Sequence, residues 1–582
     1  MAKTIIHLPQ NVSTLTSVDF NTPNAIYVIE KDYQLVGDNN LDSESTVEIK
    51  ENCTLLFLGG TFSGATLQLN NTVIEGASKS ISCKVTGTQY ELDADAFNLT
   101  QSIMQSIVNT VKVLHLHGEY DSSIFNNIQI GGESSSNGDS SITIFGNGAT
   151  INVIDPTQNN DNEQIEYCGI HIQTNDFVKI TDIKFVVSSG CAIIKDAYET
   201  DDTKLSYLID RCHFNVNSKS NGIMLICTRE GNITNCTFEG GKPTSEGIFL
   251  QRAVNTNVIG CLFSDLGYGI HCQGVVQNGT YDPHTCGLNV QSAIILGCNY
   301  GVWVQGSDSF FLNNSMIDYC IYPLTIVSQD GANVTNNYLS NRISTNTNNN
   351  NQDFYTIRIY NESNYPDDYN KKIIISKNTI VCNQSNSYGI YMNVVSTNCL
   401  ISDNTIEFFT KYGIHLYKES FPEGDNPIEK LVIDNNRFAF DDRDNIEACI
   451  GNCSYDGTNS IVLSNNYVVC NESVSLVKCT SGMGNYLYHN NHRMLPESSD
   501  AIKIGNEARN TTRYKIPVVV QAYQNSVSVE NPFRSIAVLV SIANMPYFAT
   551  VSNVSADNIL LNVSSMAESY TFYVIVEWIN NI

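Results

Sequence analysis

The sequence predicts an all-β solenoid of the parallel β-helix type. One short pattern of six residues recurs twelve times between Ile180 and His492. It consists of an aliphatic residue, two variable residues, a fourth residue that is usually Cys or Asn, one variable residue and a large apolar residue. Recurrence at a near-constant period is typical of a stack of similar coils. The apolar runs are short, alternate with period two and end at Gly or Asn, which indicates strands rather than helices. Each coil is therefore expected to consist of a few short strands and turns.

The spacing of the repeats indicates the length of one coil. The smallest spacing is 22 residues, from Val290 to Leu312 and from Leu312 to Val334. We interpret this as the bare coil, and we interpret longer spacings as coils with loop insertions. The largest insertion, between Val334 and Ile375, contains the Asn-rich run 344–352, which is typical of a surface loop.

The fourth position of the pattern changes from Cys to Asn along the chain. Stacked strands lie ~4.8 Å apart, so similar side chains at one coil position form a ladder. Buried Asn side chains can hydrogen-bond to one another and to backbone, and free Cys is the apolar counterpart. We therefore expect an internal ladder of Ile183, Cys212, Cys236, Cys261, Ala293, Ser315, Asn337, Asn378, Asn404, Asn436, Asn466 and Asn490.

A second motif, Gly-Ile-x-Leu, precedes most of the repeats, as at 247–250 and 413–416. Side chains alternate faces along a strand, so Ile and Leu are expected to point into the coil and the residue between them outward. The outward residues of successive coils then form two columns. The first contains His171, Met224, Phe249, His271, Trp303, Tyr391 and His415, and the second contains Gln173, Ile226, Gln251, Gln273, Gln305, Asn393 and Tyr417.

Four regions are predicted along the chain. Residues 1–90 contain short strands with Gly turns and are expected to form an N-terminal attachment region. Residues 91–165 are expected to contain a capping helix and the first coils, and residues 166–505 the parallel β-helix. Residues 510–582 lose the ladder pattern and have ordinary strand patterns, so we expect a separate C-terminal β domain there.

The helix is expected between Asp93 and Thr110, where apolar residues have helical spacing. An uncovered end of a solenoid exposes strand edges and apolar core. We therefore expect this helix to cap the open end of the stack.

Composition argues against several classes of function. With 32 basic and 59 acidic residues the net charge is −27, which disfavours nucleic acid and anionic membranes as partners. No segment is long and apolar enough to span a membrane, and the N-terminus has no signal-peptide core, so synthesis in a cytoplasm is expected. In that compartment the 18 cysteines are expected to be free thiols. The histidines show no metal-ligand grouping, so neither a metal nor a cofactor is expected.

The two outward columns are the candidate ligand-binding surface. Aromatic faces beside amide groups suit sugar rings, which present apolar C–H faces and hydroxyls. The candidates are Phe249, His271, Trp303, Tyr391 and His415, with Gln251, Gln273 and Gln305 beside them. Two alternatives stay open: these side chains stabilise the sheet surface, or they pack against a neighbouring subunit.

Catalysis of glycoside cleavage would require paired carboxylates. The 22-residue spacing places Asp308 and Asp330 at equivalent positions of adjacent coils, where like charges would raise one pKa, as a general acid requires. Both residues could equally be turn aspartates that hydrogen-bond to local backbone. Glu230, in a post-strand turn of an earlier coil, is a weaker candidate.

The stretch from Asp93 to Tyr120, a helix followed by Val-x-Leu-x-x-x-Gly-x-Tyr, resembles the entry segment of the pectate-lyase-like superfamily. The Gly-Ile-x-Leu and Ile-x-x-Asn-x-Phe coils resemble its right-handed parallel β-helix repeats. The resemblance covers roughly residues 91–500 and implies a right-handed β-helix. The Gly-His-Gly and Arg-Ile-Lys signatures of the polygalacturonase branch are absent, so no catalytic residue is carried over.

Within that superfamily the chain looks most like a bacteriophage tail spike. This resemblance implies a virion protein that forms a homotrimer through its C-terminal domain and contacts other tail proteins through its N-terminal region. It also implies binding of a bacterial surface polysaccharide. Two alternatives remain: a depolymerase that acts as hydrolase or lyase through a carboxylate pair, and a purely structural virion component.

Overall fold

The computed structural model describes residues 3–37, 45–131, 141–154, 167–174, 176–196, 206–277, 280–282, 285–327, 329–342, 353–360, 370–393, 396–417, 429–440, 446–451, 461–469, 477–478, 486–489, 513–520, 526–530, 538–543, 549–554, 558–563 and 570–578. The chain divides into two compact units. The first consists of Met1–Asn333 and Asn337–Asn346, and the second consists of Val334–Asn336 and Thr347–Ile582.

The first unit contains three long parallel sheets, and each coil contributes one strand to each sheet. Sheet 1 consists of Ile128–Gly131, Cys168–Gln173, Cys191–Asp196, Asn221–Ile226, Glu246–Gln251, Tyr268–Gln273, Tyr300–Gln305 and Tyr322–Val327. Sheet 2 consists of Glu119–Tyr120, Thr150–Val153, Lys184–Val187, His213–Val216, Thr237–Gly240, Leu262–Ser264, Ile294–Leu296, Met316–Asp318 and Tyr338–Ser340. Sheet 3 consists of Thr46–Glu48, Thr66–Asn70, Val85–Asp93, Val111–His115, Ile142–Phe145, Val178–Thr181, Tyr207–Asp210, Arg229–Thr234, Val254–Ile259, Thr285–Gln291, Ser307–Asn313 and the start of Asp330–Thr335.

The second unit repeats this arrangement. Its first sheet consists of Phe354–Tyr360, Ser387–Asn393, Tyr412–Tyr417, Ala448–Gly451 and Val477–Lys478. Its second sheet consists of Thr379–Val381, Thr405–Glu407, Arg437–Ala439 and Tyr467–Val469. Its third sheet consists of Asn370–Ser376, Ser396–Ser402, Glu429–Asp434, Ile461–Ser464 and Tyr486–His489. The prediction of a parallel β-helix is confirmed.

A turn with a left-handed backbone residue lies just before the ladder position of each described coil. The residue that precedes each ladder side chain adopts a left-handed backbone conformation, with φ between 50° and 59° in ten coils. Asn, Asp and Gly tolerate this conformation better than other residues. It is adopted by Asp182, Arg211, Asn235, Ser292, Asn314, Asn336, Lys377, Asp403, Asn435 and Asn465, and also by Gly260.

The described ladder residues lie inside the coils, as predicted, whereas Asn490 lies outside the described residues. In the first unit Cys212, Cys236 and Cys261 are buried, and beside them four phenylalanine rings stack at 4.6 to 5.1 Å. In the second unit Asn378, Asn404, Asn436 and Asn466 are hydrogen-bonded in succession. Asn404 Oδ1 accepts from the backbone N and Nδ2 of Asn378, and Asn404 Nδ2 donates to Asn436 Oδ1 at 2.9 Å. The ladder therefore satisfies buried amides by pairing them with one another.

The N-terminal residues also form parallel strands. One sheet consists of Thr4–His7, Ala25–Ile29, Thr54–Phe57 and Val73–Glu75, and another consists of Thr14–Leu15, Tyr33–Leu35, Phe62–Gly64 and Ile81–Ser82. Short 3₁₀ helices lie at Ser17–Phe20 and Ala94–Ala96.

One α-helix, Gln101–Val108, lies inside the range where the sequence predicts it. The strand Val85–Asp93 just before it pairs with Thr66–Asn70 on one side and with Val111–His115 on the other. Parallel pairing thus continues on both sides of the helix, and its expected position at an open end of the stack is not confirmed. The region boundaries at 91, 166 and 510 stay predictions.

The C-terminal strands differ from the coils because they pair antiparallel. One sheet consists of Arg513–Val520, Tyr570–Trp578 and Val538–Ala543, and the other of Ser526–Glu530, Asn558–Val563 and Ala549–Val554. A short antiparallel hairpin, Val275–Gln277 with Thr280–Asp282, extends from the first unit.

Fourteen cysteines in the described part of the chain are free thiols, and most are buried. None of the helices that the structure describes has the length and hydropathy of a membrane span.

Candidate functional site

Sheet 1 of the first unit carries three outward columns of side chains, one more than the sequence predicts. The additional column consists of the residues that precede Gly or Pro in each strand. In register, this column contains Glu246, Tyr268, Tyr300 and Tyr322. The neighbouring column contains Phe249, His271, Trp303 and Thr325. We call the rings of these two columns the first aromatic face: Phe249, Tyr268, His271, Tyr300, Trp303 and Tyr322.

The tyrosines of the first aromatic face stack along the sheet. The ring centroids of Tyr268 and Tyr300 are 4.7 Å apart and nearly parallel, and those of Tyr300 and Tyr322 are 5.0 Å apart. Trp303 packs edge-on against Tyr300, with 4.9 Å between the centroids, and lies 6.0 Å from His271. Adjacent rungs hold these rings in fixed register, so the face is a rigid surface.

A histidine–carboxylate pair lies at one side of this face. His271 Nδ1 is 2.7 Å from Glu246 Oε1, and both side chains are mostly buried, at 16% and 14% exposure. Burial is the largest cause that raises the pKa of Tyr268, and the neighbouring Tyr300 and Glu246 raise it further. Tyr268 therefore keeps its hydroxyl proton at neutral pH and can donate a hydrogen bond. Glu246 lies outside the Gly-Ile-x-Leu motif, so the motif does not predict its place in this pair.

The glutamine column lies beside the rings. Gln251 and Gln273 are opposite one another in register, whereas Gln305 is buried. Trp303 Nε1 and Thr325 Oγ1 are buried and make no hydrogen bond to any residue that the structure describes. Amide groups and aromatic rings are thus adjacent on one surface, as the alternation along the strands predicts.

The strand Cys191–Asp196 adds a rung that the sequence analysis missed. It places Ile194 between His171 and Met224 in the outward column. Here the outward surface is apolar and mostly buried: Cys168, Cys191, Ile194 and Met224 form one cluster against Ile226 and Phe249. His171 is hydrogen-bonded to Asp196 beside this cluster. This end of the column therefore differs from the aromatic face in chemistry and in exposure.

The second unit carries an equivalent surface on its first sheet. Tyr355 is in register with Tyr388 and Tyr412, which precede Gly, and Arg358, Tyr391 and His415 occupy the next outward column. We call these six residues the second aromatic face. The His415 ring stacks on Tyr388 at 5.2 Å and on Tyr412 at 4.6 Å. The Tyr412 hydroxyl donates to Glu447 Oε2 at 2.5 Å, and Lys411 Nζ lies 3.4 Å from Glu447 Oε1. Burial raises the pKa of Tyr388 to about 12.

His415 is expected to make the stability of the protein depend on pH. Burial lowers its pKa to about 4, although Glu447 acts in the opposite direction. An unfolded chain binds a proton at this histidine below about pH 6.5, whereas the folded chain does not until about pH 4. The free energy of unfolding should therefore fall as the pH drops from 7 to 4, by up to about 3 kcal/mol from this group. Urea unfolding of wild type and His415→Gln at both pH values measures the difference.

Phe311→Ala, which removes an exposed side chain without an ionisable group, provides the control and should keep the pH dependence of wild type. Equal losses of stability in wild type and His415→Gln between pH 7 and 4 would contradict the burial argument.

The candidate catalytic carboxylates lie on sheet 3. Asp308 belongs to Ser307–Asn313 and Asp330 to Asp330–Thr335, and these strands are neighbours. The pairing with the preceding strand is irregular at Asp308, because Thr285 pairs with Ser307 and Cys286 with Ser309. The Asp308 side chain lies outside the described residues, so the pairing of the two carboxylates stays a prediction.

Glu230 also lies on sheet 3, in Arg229–Thr234, and has a left-handed backbone with φ of 36°. Its carbonyl oxygen accepts a hydrogen bond from Ser206 N at 2.9 Å. Its register position corresponds to Asn255, which is also left-handed, so this geometry belongs to the turn. Within the described ranges, no group of three or more His, Cys, Asp or Glu residues is arranged to hold a metal ion.

Comparison with solved structures finds matches of low similarity. They include tailspike protein 3 of bacteriophage CBA120, with 12% identity over 73% of this chain and 62% of that chain and a TM-score of 0.42. A mutant of the periplasmic alginate epimerase AlgG has 13% identity over 67% of this chain and 77% of that chain, with a TM-score of 0.35. A mutant tailspike protein of E. coli bacteriophage HK620 in complex with pentasaccharide has 10% identity over 92% of this chain and 87% of that chain, with a TM-score of 0.35. The chain thus spans about three fifths of the first of these proteins.

No curated protein matches the chain significantly. The model of the family described as right handed beta helix region matches residues 168–339. This range contains the coils of the first unit that carry the first aromatic face. Its parallel sheets and this match agree with the handedness that the sequence resemblance implies. Residues 168–339 therefore form a right-handed parallel β-helix.

Proposed function

We propose that this chain is a subunit of a bacteriophage tail spike that binds a bacterial surface polysaccharide along the first aromatic face. The observation that carries the proposal is the stack of Tyr268, Tyr300 and Tyr322 beside His271 and Trp303. Sugar rings pack their C–H faces on aromatic rings and hydrogen-bond through hydroxyls to amides and charged groups. The face offers both kinds of contact within a few rungs.

The repeat of the coil suits a polymeric ligand. Rungs recur every ~4.8 Å, so equivalent ring and amide positions recur along the sheet axis. A polysaccharide also presents repeated units along its own axis, and several weak contacts then add up. The half-buried rings lose little side-chain entropy on binding, because their neighbours on adjacent rungs already hold them.

The tail-spike assignment rests on the resemblance of the coils and on the order of the parts. A parallel β-helix precedes antiparallel C-terminal strands, which suits a β-helix followed by an assembly domain. Leu560 is exposed between buried Ile559 and Leu561, so an apolar side chain lies on the outer side of one of these sheets. We propose that residues 510–582 join three chains and that residues 1–90 contact other tail proteins in the virion.

Binding should be measured against a panel of purified capsular and O-antigen polysaccharides immobilised on a sensor surface. The expected result is saturable binding of the full-length protein to at least one member of the panel. Failure to bind any member would contradict the proposal and favour a purely structural virion component, in which the rings lie between subunits.

The same incubations distinguish binding from cleavage when the polysaccharide is analysed by size-exclusion chromatography. Binding without shortening identifies a receptor-binding protein. Shortening that is lost in Asp308→Asn with Asp330→Asn would identify a depolymerase that uses this pair. Shortening that persists would show that this pair is wrong, and Glu230→Gln would be tested next.

A further inference from the structure

The second aromatic face contains a cation that forms no ion pair with any carboxylate in the described part of the chain. The chain has a net charge of −27, and several described cations, among them Arg211, Arg342, Lys411 and Arg437, form ion pairs with carboxylates. Arg358 differs, because no described carboxylate lies within ion-pair distance of it, and its buried Nε makes no hydrogen bond to a described residue. It is half-buried in the outward column, in register with Tyr391.

The nearby acidic groups already have partners. Glu447 accepts from the Tyr412 hydroxyl and pairs with Lys411, and Asp353 accepts from the Tyr355 hydroxyl at 3.3 Å. Burial keeps His415 neutral near pH 7, so it adds no charge to the face. Among the described residues of this surface, the guanidinium of Arg358 is therefore the positive group that remains available to an anion.

Two tyrosines hold the guanidinium in place. Its carbon lies 4.3 Å from the centroid of the Tyr360 ring and 5.4 Å from that of Tyr355. Aromatic rings attract the guanidinium through its π faces and leave its N–H donors, which lie in the plane of the group, for other partners. The planar fork of these donors matches a carboxylate, which it can bind with two parallel hydrogen bonds.

We infer that the second aromatic face binds an acidic sugar of the polysaccharide, with Arg358 pairing with its carboxylate and the tyrosine rings packing against the sugar. This inference rests on the proposed polysaccharide binding and specifies its ligand as a glycan that contains uronic acid or another carboxylated sugar. The first aromatic face, which holds the Glu246–His271 pair, offers no equivalent unpaired arginine among its described residues.

The test uses the member of the polysaccharide panel that the full-length protein binds most tightly. Its carboxyl groups are reduced chemically to neutral hydroxymethyl groups, which keeps the rest of each sugar. Wild type should bind the reduced polymer at least about tenfold more weakly. Arg358→Gln should bind the untreated polymer as weakly as wild type binds the reduced one, and it should bind the reduced polymer no more weakly than wild type does.

Arg358→Lys keeps the charge without the planar fork, so it should retain part of the affinity and also shows whether the position tolerates substitution. Unchanged binding after carboxyl reduction, with binding still sensitive to substitution of Trp303, would overturn this inference while the proposed function stands. Binding that survives reduction but is lost on removal of phosphate groups would assign Arg358 to a phosphorylated sugar and would likewise overturn the carboxylate assignment. Absence of binding to any polymer would contradict both.

Discussion

Replacing Trp303 with alanine is expected to weaken polysaccharide binding about 30-fold, equivalent to about 2 kcal/mol. Large aromatic side chains at the centre of a binding surface contribute most of its affinity, and Trp303 contacts the rings of Tyr300, Tyr268 and His271. Its removal takes away a stacking surface for the sugar and loosens the rings around it. Equilibrium binding to the immobilised polysaccharide measures the loss.

Two variants separate loss of contact from loss of fold. Trp303→Phe keeps a ring and should retain most of the affinity, whereas Phe311→Ala removes an exposed ring on sheet 3 and should leave binding unchanged. The proposed contact between the polysaccharide and Trp303 would be contradicted if Trp303→Ala bound the polysaccharide as tightly as Phe311→Ala does, with both variants showing the circular dichroism of wild type.

Replacing Asn404 with leucine is expected to lower the free energy of unfolding by about 3 kcal/mol or more. Asn404 Oδ1 accepts two hydrogen bonds from Asn378, and its Nδ2 donates to Ile375 O and to Asn436 Oδ1, each between 2.9 and 3.0 Å. All of these groups are buried, so leucine leaves several of them without a partner, and each unsatisfied group costs about 1–3 kcal/mol. Urea unfolding followed by circular dichroism measures the change.

A second variant, Asn404→Cys, introduces the residue that earlier coils have at this position. Cys occupies the ladder position in earlier coils, at Cys212, Cys236 and Cys261, where its neighbours are also apolar. A single Asn404→Cys lies between two asparagines and should therefore destabilise the protein nearly as much as leucine does. Ser385→Leu, at an exposed position of the same unit, should change stability by less than about 0.5 kcal/mol. Equal stability of Asn404→Leu and this control would contradict the ladder.

Much of the fold could be predicted because the repeat shows which residues of successive coils lie beside one another. The position of Asn404 in the repeat predicts both its burial and its pairing with equivalent residues above and below it. The alternation in Gly-Ile-x-Leu also predicts that Ile248 and Leu250 are buried and that Phe249 points outward, as the structure confirms. Local sequence is sufficient here because each residue contacts its equivalents in the adjacent coils.

Other features could not be predicted in this way. The strands of sheet 1 begin one residue before Gly, so the outward tyrosine column was missed, although Tyr268, Tyr300, Tyr388 and Tyr412 occupy the same position of the motif. Arg358 was missed because its strand has no Gly-Ile-x-Leu motif.

The parallel strands of the N-terminal residues were assigned to a different region because they contain no Cys or Asn ladder. The pair of Glu246 with His271 joins residues 25 positions apart in sequence, and only the register of two coils brings them together. These features depend on pairing between coils that lack the motif or on side chains outside it.

The central claim is that a polysaccharide packs on the rings around Trp303, and fluorescence of this residue tests it most directly. The chain has two tryptophans, so Trp578→Phe leaves Trp303 as the only reporter. Titration of this variant with the polysaccharide that the full-length protein binds should produce a saturable change in emission, with the same dissociation constant as the sensor measurement. Trp303→Phe, which retains only Trp578, should show no change. Saturated binding without any change in the emission of Trp303 would contradict the account.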